Sequence, residues 1–200
     1  MGYKELVERE LARRLGEEKP ELAIEKKIVA KKFCVEGGSG ETRVMVHGKD
    51  GEVRFFSDDG IDITPVLSAF CGNFDLVKKS FVGLEKKGFV LDCGMKRDGK
   101  SLYFTVSDVV YLGESVACLP WNRRRQLLNG LSYGEPVKLS PVVVVDSKQD
   151  FEKAVALFEK LKDCNKIVVK GYDGKYGVLG ESEWVELDYG KKNRAAECFA

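Results

Sequence analysis

Residues 42–57 read TRVMVHGKDGEVRFFS, and this stretch has the pattern of an antiparallel β-hairpin. Within it the apolar residues Val44, Val46 and Phe55 stand at the alternating positions that a core requires, a period of two that is typical of strands with one buried face. Asp50-Gly51 between them is a preferred sequence for a tight two-residue turn. The sequence therefore predicts two paired strands that meet at Asp50-Gly51.

Outside this hairpin, short strand-like runs are mixed with helical patterns, and no Pro/Gly/Ser-rich linker divides them. Because the runs do not alternate as βαβ units, an α+β fold of mainly antiparallel sheets is predicted. We expect an N-terminal helical extension over residues 1–27 and one domain over residues 28–200. The predicted strands are 27–35, 88–112 as a hairpin around Asp98-Gly99, 139–146 as a buried strand, 166–172 and 183–189; the predicted helices are 3–17, 120–131 and 149–162, with 64–87 helical or mixed.

Composition excludes several classes of protein. The 200 residues carry 33 basic and 32 acidic side chains, a net charge of +1, so the chain is neither a basic nor an acidic tail. No apolar run approaches the ~20 residues that span a bilayer, and the N-terminus has no signal-peptide pattern, so we expect a cytoplasmic protein without a membrane partner. Abundant Lys and Glu would suit a thermophile.

Metal and redox chemistry have little support in the sequence. The six cysteines are scattered singly without a C-x-x-C pair, and His47 is the only histidine, so no metal site and mostly buried thiols are expected. Asp58-Asp59 with Asp62 could suggest a cation site, but acids beside a glycine turn are more often simply solvated. His47 is more often structural than catalytic at a strand end.

Two features could bind phosphate groups. The run Arg123-Arg124-Arg125 is the best candidate, although three charges on one helix often form only a solvated surface. Residues 37–40, Gly-Gly-Ser-Gly, follow a strand and could present backbone amides to a phosphate, or could be a flexible connection. Neither feature alone assigns a function.

Several segments share their order and spacing with a known set of motifs. They are residues 42–47 and 51–64, residues 89–92, residues 102–110, Pro120 with Arg124, Arg125 and Leu128, and residues 167–170 with Tyr176 and Trp184. From about residue 28 to residue 189 the chain resembles the adenylation domain of the ATP-dependent DNA ligases, within the covalent nucleotidyltransferase superfamily. The resemblance implies an ATP-grasp-like or nucleotidyltransferase α+β fold. No OB-fold domain is expected in these 200 residues.

The resemblance places the family's nucleophilic lysine, whose amine attacks the α-phosphorus of ATP, at a position occupied here by Gly38. Lys31 or Lys32 could be proposed instead, although neither is followed by x-Asp-Gly. Other positions of the implied nucleotide site also differ. Cys93-Gly94 follows Asp92 in place of D-G-E, Ser107 replaces a base-stacking aromatic, Asn165-Lys166 replaces E-G, and Glu186 and Asp188 replace two phosphate-binding lysines.

These replacements make the site about three charge units more negative than a working one. Each like-charge contact with a triphosphate costs about 3 kcal/mol at ~5 Å and an effective dielectric of ~20. We therefore predict an inactive ligase-like domain with no catalytic residue, no cofactor and no metal, retained as a binding or scaffold module. The expected nucleic-acid contacts are Arg43, Arg54, Arg123, Arg124, Arg125 and Lys170.

Two alternatives stay open at this point. The module could instead bind a protein partner or a second copy of itself through the helix predicted at residues 3–17. The chain could also be an active, divergent DNA or RNA ligase that uses Lys32 or Lys31.

Overall fold

A computed structural model describes the chain from residue 32 to residue 188 with gaps. The described residues are 32–38, 42–82, 84, 88–161, 164 and 166–176, together with the backbone of 184–188. The helix predicted at residues 3–17 lies outside them. No helix in these ranges is long and apolar enough to cross a membrane.

The described residues form nine strands and four helices, numbered here in chain order. The strands are β1 (Phe33–Gly38), β2 (Thr42–Lys49), β3 (Glu52–Ser57), β4 (Phe89–Asp98), β5 (Ser101–Leu112), β6 (Val137–Leu139), β7 (Val142–Val145), β8 (Lys166–Gly171) and β9 (Trp184–Asp188). The helices are α1 (Thr64–Phe70), α2 (Phe74–Phe81), α3 (Trp121–Asn129) and α4 (Lys148–Glu159). The α+β prediction is confirmed.

The chain divides into two compact units. The five-stranded unit is residues 41–140, and the four-stranded unit comprises the described residues before 41 and after 140. Each unit has its own sheet, and neither sheet is an OB-fold. The assignment of residues 28–200 to one domain stays a prediction.

The five-stranded unit contains the hairpin that the sequence predicts. Its strand order is β3-β2-β4-β5-β6, antiparallel except between β5 and β6. Asp50 (φ 53°) and Gly51 (φ 81°) make the β2–β3 turn, because both central residues of this tight turn need a positive φ. The β4–β5 hairpin turns at Asp98-Gly99, as predicted.

Alternation along β2 and β3 builds the core of this unit. Val44 and Val46 on β2 and Phe55 on β3 are fully buried, and α1 and α2 contribute further apolar side chains to the same cluster. Phe55 contacts the rings of Phe81 and Phe104 at centroid distances of 5.9 and 5.3 Å. Burying each such aromatic side chain contributes about 1.5–3 kcal/mol, so this cluster is a main source of stability.

The four-stranded unit is an antiparallel sheet in the order β7-β1-β8-β9, with α4 packed on one face. Helix α4 covers most of the amphipathic segment predicted at residues 149–162 and begins one residue earlier, and the Ser147 hydroxyl caps it by accepting from the Asp150 N–H at 3.1 Å. Phe158 on α4 and Val35, Ile167 and Val169 on the sheet are buried together. This core positions β1 and β8, which carry several of the predicted site residues.

Two sequence predictions about this unit are wrong. Residues 142–145 were expected to form a buried strand, but β7 is an edge strand and Val144 is 46% exposed. The alternation of core positions along the predicted strand at residues 166–172 favours a buried Val168, but its neighbours Ile167 and Val169 face the core instead. Side chains alternate with a period of two, so a shift of one residue exchanges the two faces of a strand.

The thiol prediction is confirmed for most of the described cysteines. Cys34, Cys71 and Cys93 are buried, Cys164 is half-buried and Cys118 is exposed.

Candidate functional site

One face of the four-stranded sheet carries two of the predicted site residues, Gly38 and Lys170. Odd-numbered residues of β1 face α4: a Cβ built on Gly37 would lie 2.4 Å from Cδ1 of Phe158. Even-numbered residues of β1 therefore lie on the opposite face, together with the residues of β8 that pair directly with them. We call this the polar sheet face; it consists of Cys34, Glu36, Gly38, Lys166, Val168 and Lys170.

A buried ion pair lies on the polar sheet face. Lys170 Nζ is 2.9 Å from Glu36 Oε2, and the two side chains are only 2% and 3% exposed. The Cys34 thiol donates to the Lys170 carbonyl oxygen at 3.5 Å. A buried charge is tolerated when it is paired, and here the Lys170 ammonium is neutralised by its neighbour on β1. Lys170 was predicted as a nucleic-acid contact, but it is enclosed in the structure.

Gly38 and Lys166 are directly opposite each other in the β1–β8 register. A Cβ built on Gly38 would lie 2.9 Å from Cε and 3.0 Å from Cγ of Lys166. The aliphatic stem of Lys166 therefore lies over the position that the resemblance assigns to the nucleophilic lysine. The resemblance matches Lys166 to the glycine of the E-G motif, but only the strand register shows that Lys166 opposes Gly38.

The register of β9 brings two further predicted positions beside the polar sheet face. Glu186 is paired with Val168, and Asp188 is paired with Lys166. The side chains of these two β9 residues and all of Asn165 lie outside the described residues. The structure thus brings positions 38, 170, 186 and 188 onto neighbouring strands of one sheet.

In the five-stranded unit, Arg43 and Asp92 form a paired contact on adjacent strands. Arg43 donates from Nε and Nη2 to the two carboxylate oxygens of Asp92 at 3.0 and 2.9 Å. Its Nη1 donates to the exposed Asp58 at 3.2 Å, and the Ser107 hydroxyl donates to the Asp92 carbonyl oxygen at 3.1 Å. A two-point guanidinium–carboxylate contact fixes the orientation of Arg43 while leaving its side chain 42% exposed.

The three consecutive arginines of α3 have different surroundings. Arg123 is exposed and donates to the Gln126 side-chain oxygen at 3.0 Å. Arg124 is fully buried, and Arg125 is half-buried and donates to the Ser140 hydroxyl and carbonyl oxygen at 3.1 and 2.6 Å. Successive helical residues point about 100° apart, so the three cannot share one surface. The prediction that Arg124 contacts nucleic acid does not fit its enclosed position.

The remaining candidate residues with described side chains are Arg54, Lys32 and His47. Arg54 is exposed, and its Nη2 lies 3.4 Å from Oε2 of Glu52. The exposed Lys32 has its ammonium 6.0 Å from the centroid of the Tyr172 ring, and Lys31 lies outside the described residues. His47 packs against Phe56 with ring centroids 4.5 Å apart, and burial lowers the pKa of its imidazole.

The acidic turn that could have suggested a cation site does not form one. In the described part of the chain, no group of three or more His, Cys, Asp or Glu residues is placed to hold a metal ion. Asp58 instead accepts from Arg43, and Asp62 accepts from the Thr64 N–H at 2.9 Å. This hydrogen bond and that from the Thr64 side chain lower the pKa of Asp62.

Comparison with known proteins gives similarity in fold alone. No protein-family model matches the sequence, and no curated protein matches it. The ligase domain of M. tuberculosis LigD is similar with a TM-score of 0.59 at 18% identity, over 79% of this chain and 55% of that one. The mycobacterial DNA ligase D complexed with ATP and MES is similar with a TM-score of 0.61 at 17% identity, over 81% of this chain and 57% of that one.

The chain thus spans little more than half the length of the solved structures it matches. At this identity the likeness concerns the backbone, and it agrees with the resemblance found in the order of the sequence motifs. The described residues therefore have an α+β fold similar to that of these two ligase structures.

Proposed function

We propose that this chain is a ligase-like nucleotidyltransferase domain that does not form a covalent nucleotide adduct and acts as a nucleic-acid-binding module. The observation that carries the proposal is the pair Gly38–Lys166. The position matched to the nucleophilic lysine has no side chain, and the stem of a lysine from the neighbouring strand lies over it. Without an amine at position 38, the covalent step of the family has no nucleophile there.

Electrostatics supports the loss of nucleotide binding. The positive charge of Lys170 is balanced by Glu36, so this pair offers little net attraction to a triphosphate. Lys166 adds one positive charge that the count from sequence left out, which reduces the deficit from about three units to about two. The acidic residues Glu186 and Asp188 still stand where the resemblance implies two phosphate-binding lysines.

The proposed nucleic-acid contacts are the exposed arginines of the five-stranded unit. Arg43 and Arg54 lie on the same face of the β2–β3 hairpin, opposite the buried valines, because His47 is directly paired with Arg54 and both Arg43 and His47 are odd-numbered residues of β2. Arg123 is a third exposed candidate, on α3. Guanidinium groups suit phosphate because they present planar pairs of donors.

Arg43 is the strongest of these candidates. Its Nε and Nη2 donate to Asp92, and its Nη1 donates to Asp58, whose side chain is 71% exposed. An exposed ion pair contributes about 0–1 kcal/mol, so a phosphate can replace Asp58 at small cost while Asp92 keeps the guanidinium in place. Asp58 is then a competitor for the same donor.

Fluorescence anisotropy with intact and nicked DNA duplexes at low and moderate salt tests the binding proposal. We expect affinity to fall with salt. Arg43→Ala should weaken binding to all sequences and reduce the salt slope by about one unit, and Asp58→Asn should strengthen binding. The matched control is Lys153→Ala, an exposed cation on α4 beside Asp150. A complete lack of salt-dependent binding would refute the nucleic-acid part of the proposal.

Intact-mass measurement after incubation with ATP or GTP and Mg²⁺ or Mn²⁺ tests the proposed inactivity. We expect no mass increase. A gain of one nucleoside monophosphate that disappears in Lys32→Ala or Lys31→Ala would instead establish an active, divergent nucleotidyltransferase.

A further inference from the structure

Gly38 and Lys166 show a reciprocal exchange across one strand pair. The resemblance implies a lysine at position 38 and the glycine of the E-G motif at position 166, and this sequence has the reverse at both positions. The two residues are directly paired between β1 and β8, so their side chains would share one face of the sheet. A side chain at position 38 and a side chain at position 166 would therefore occupy the same space.

We propose that Gly38 and Lys166 form a coupled pair in which the Lys166 stem closes the place of the lost nucleophile and requires glycine at position 38. This inference rests on the proposed function, because it explains how the site is closed to adduct formation. Lys166 then acts through the volume of its methylene groups, which fill the space beside position 38.

A side chain at position 38 would lie too close to the stem of Lys166. A Cβ on Gly38 would come within 2.9 Å of Cε, 3.0 Å of Cγ and 3.5 Å of Cδ of Lys166, so it would contact most of the stem and not only its flexible end. Any side chain at position 38 would therefore displace Lys166 from its half-buried place on the polar sheet face. Overfilling a packed volume in this way is destabilising.

The backbone conformation at position 38 by itself favours alanine over glycine. Gly38 lies in β1 without a positive φ, so alanine is compatible with its backbone conformation. Where glycine is replaced without strain, alanine stabilises the fold by restricting the unfolded chain. Because the three atoms nearest to that Cβ all belong to Lys166, the cost of Gly38→Ala should come mainly from Lys166, and it should disappear when the Lys166 stem is removed.

A mutant cycle measured by thermal unfolding tests the coupling. Gly38→Ala should lower the Tm by about 3 °C in the native background and in Lys166→Met, which keeps an unbranched stem without the charge. In Lys166→Ala the same change should leave the Tm unchanged or raise it. Gly72→Ala is the control, because its Cβ would meet nothing closer than 3.8 Å.

Two outcomes would contradict the inference, and they can be told apart from failure of the proposed function. An equal Tm change for Gly38→Ala in all three backgrounds would show that the two positions are independent, even if no nucleotide adduct forms. A nucleotide adduct on Lys166 in the native protein would show that its amine reacts, which refutes both the closed site and the proposed inactivity.

Discussion

Arg124 on α3 donates from Nε and Nη2 to the two carboxylate oxygens of Asp108 on β5, at 2.8 and 3.0 Å. Both side chains are enclosed, at 0% and 1% exposure, and Arg124 also donates to the Leu119 carbonyl oxygen. The pair therefore holds α3 against β5 of the five-stranded sheet. A buried pair of this kind is costly to break, because one charge is left without a partner.

Arg124→Ala should accordingly destabilise the protein by about 3–5 kcal/mol, since it leaves the Asp108 carboxylate buried without its guanidinium. The neighbouring Arg123→Ala, at an exposed position, should change stability by no more than about 0.5 kcal/mol. Urea unfolding of the two variants gives the comparison. Equal stability of both variants would mean that the Arg124–Asp108 pair does not hold α3.

Gly37→Ala tests the packing of α4 on its sheet. A Cβ at this position would lie 2.4 Å from Cδ1 and 2.6 Å from Cε1 of the buried Phe158 ring, so the ring or the strand must move. We expect a loss of about 1–3 kcal/mol in the free energy of unfolding. The loss should be smaller in a Phe158→Leu background, where the aromatic ring is absent; an unchanged loss there would mean that another contact opposes the methyl group.

His47 gives the protein a pH-dependent stability that can be assigned to one residue, because the sequence has no other histidine. Burial lowers the pKa of His47 from its ordinary value of 6.5, so the unfolded chain takes up a proton more readily than the folded one. The stability is thus present above pH 6.5 and is lost as the pH falls through the lowered pKa.

NMR titration of the imidazole should place its midpoint below 6.5, and unfolding measured between about pH 7 and pH 5 should show stability falling towards acid. His47→Gln should remove that part of the pH dependence. A midpoint above 6.5 would show that the folded protein favours the charged imidazole.

The elements that the sequence predicted well are those set by local chemistry. The hairpin turn at Asp50-Gly51 is confirmed because two adjacent residues with positive φ satisfy it without help from the rest of the chain. Helix α4 is confirmed because its apolar spacing is a property of the segment itself, and the structure adds a cap at Ser147 just before it. The edge position of β7 was missed, because four valines look alike whether one or both sides of the strand are paired.

The order of motifs along the chain was enough to indicate the ligase-like fold, since that order depends on residue identity and spacing alone. The pairing of β1 with β8 decided which residue occupies the space above Gly38 and whether Lys170 reaches solvent. The contact between Arg124 on α3 and Asp108 on β5 decided whether Arg124 reaches solvent. Gly38 and Lys166 are neighbours only through the β1–β8 register, and Lys170 is enclosed with Glu36 by the same pairing. Burial and partnership are properties of three-dimensional neighbours, and a linear pattern of charges cannot specify them.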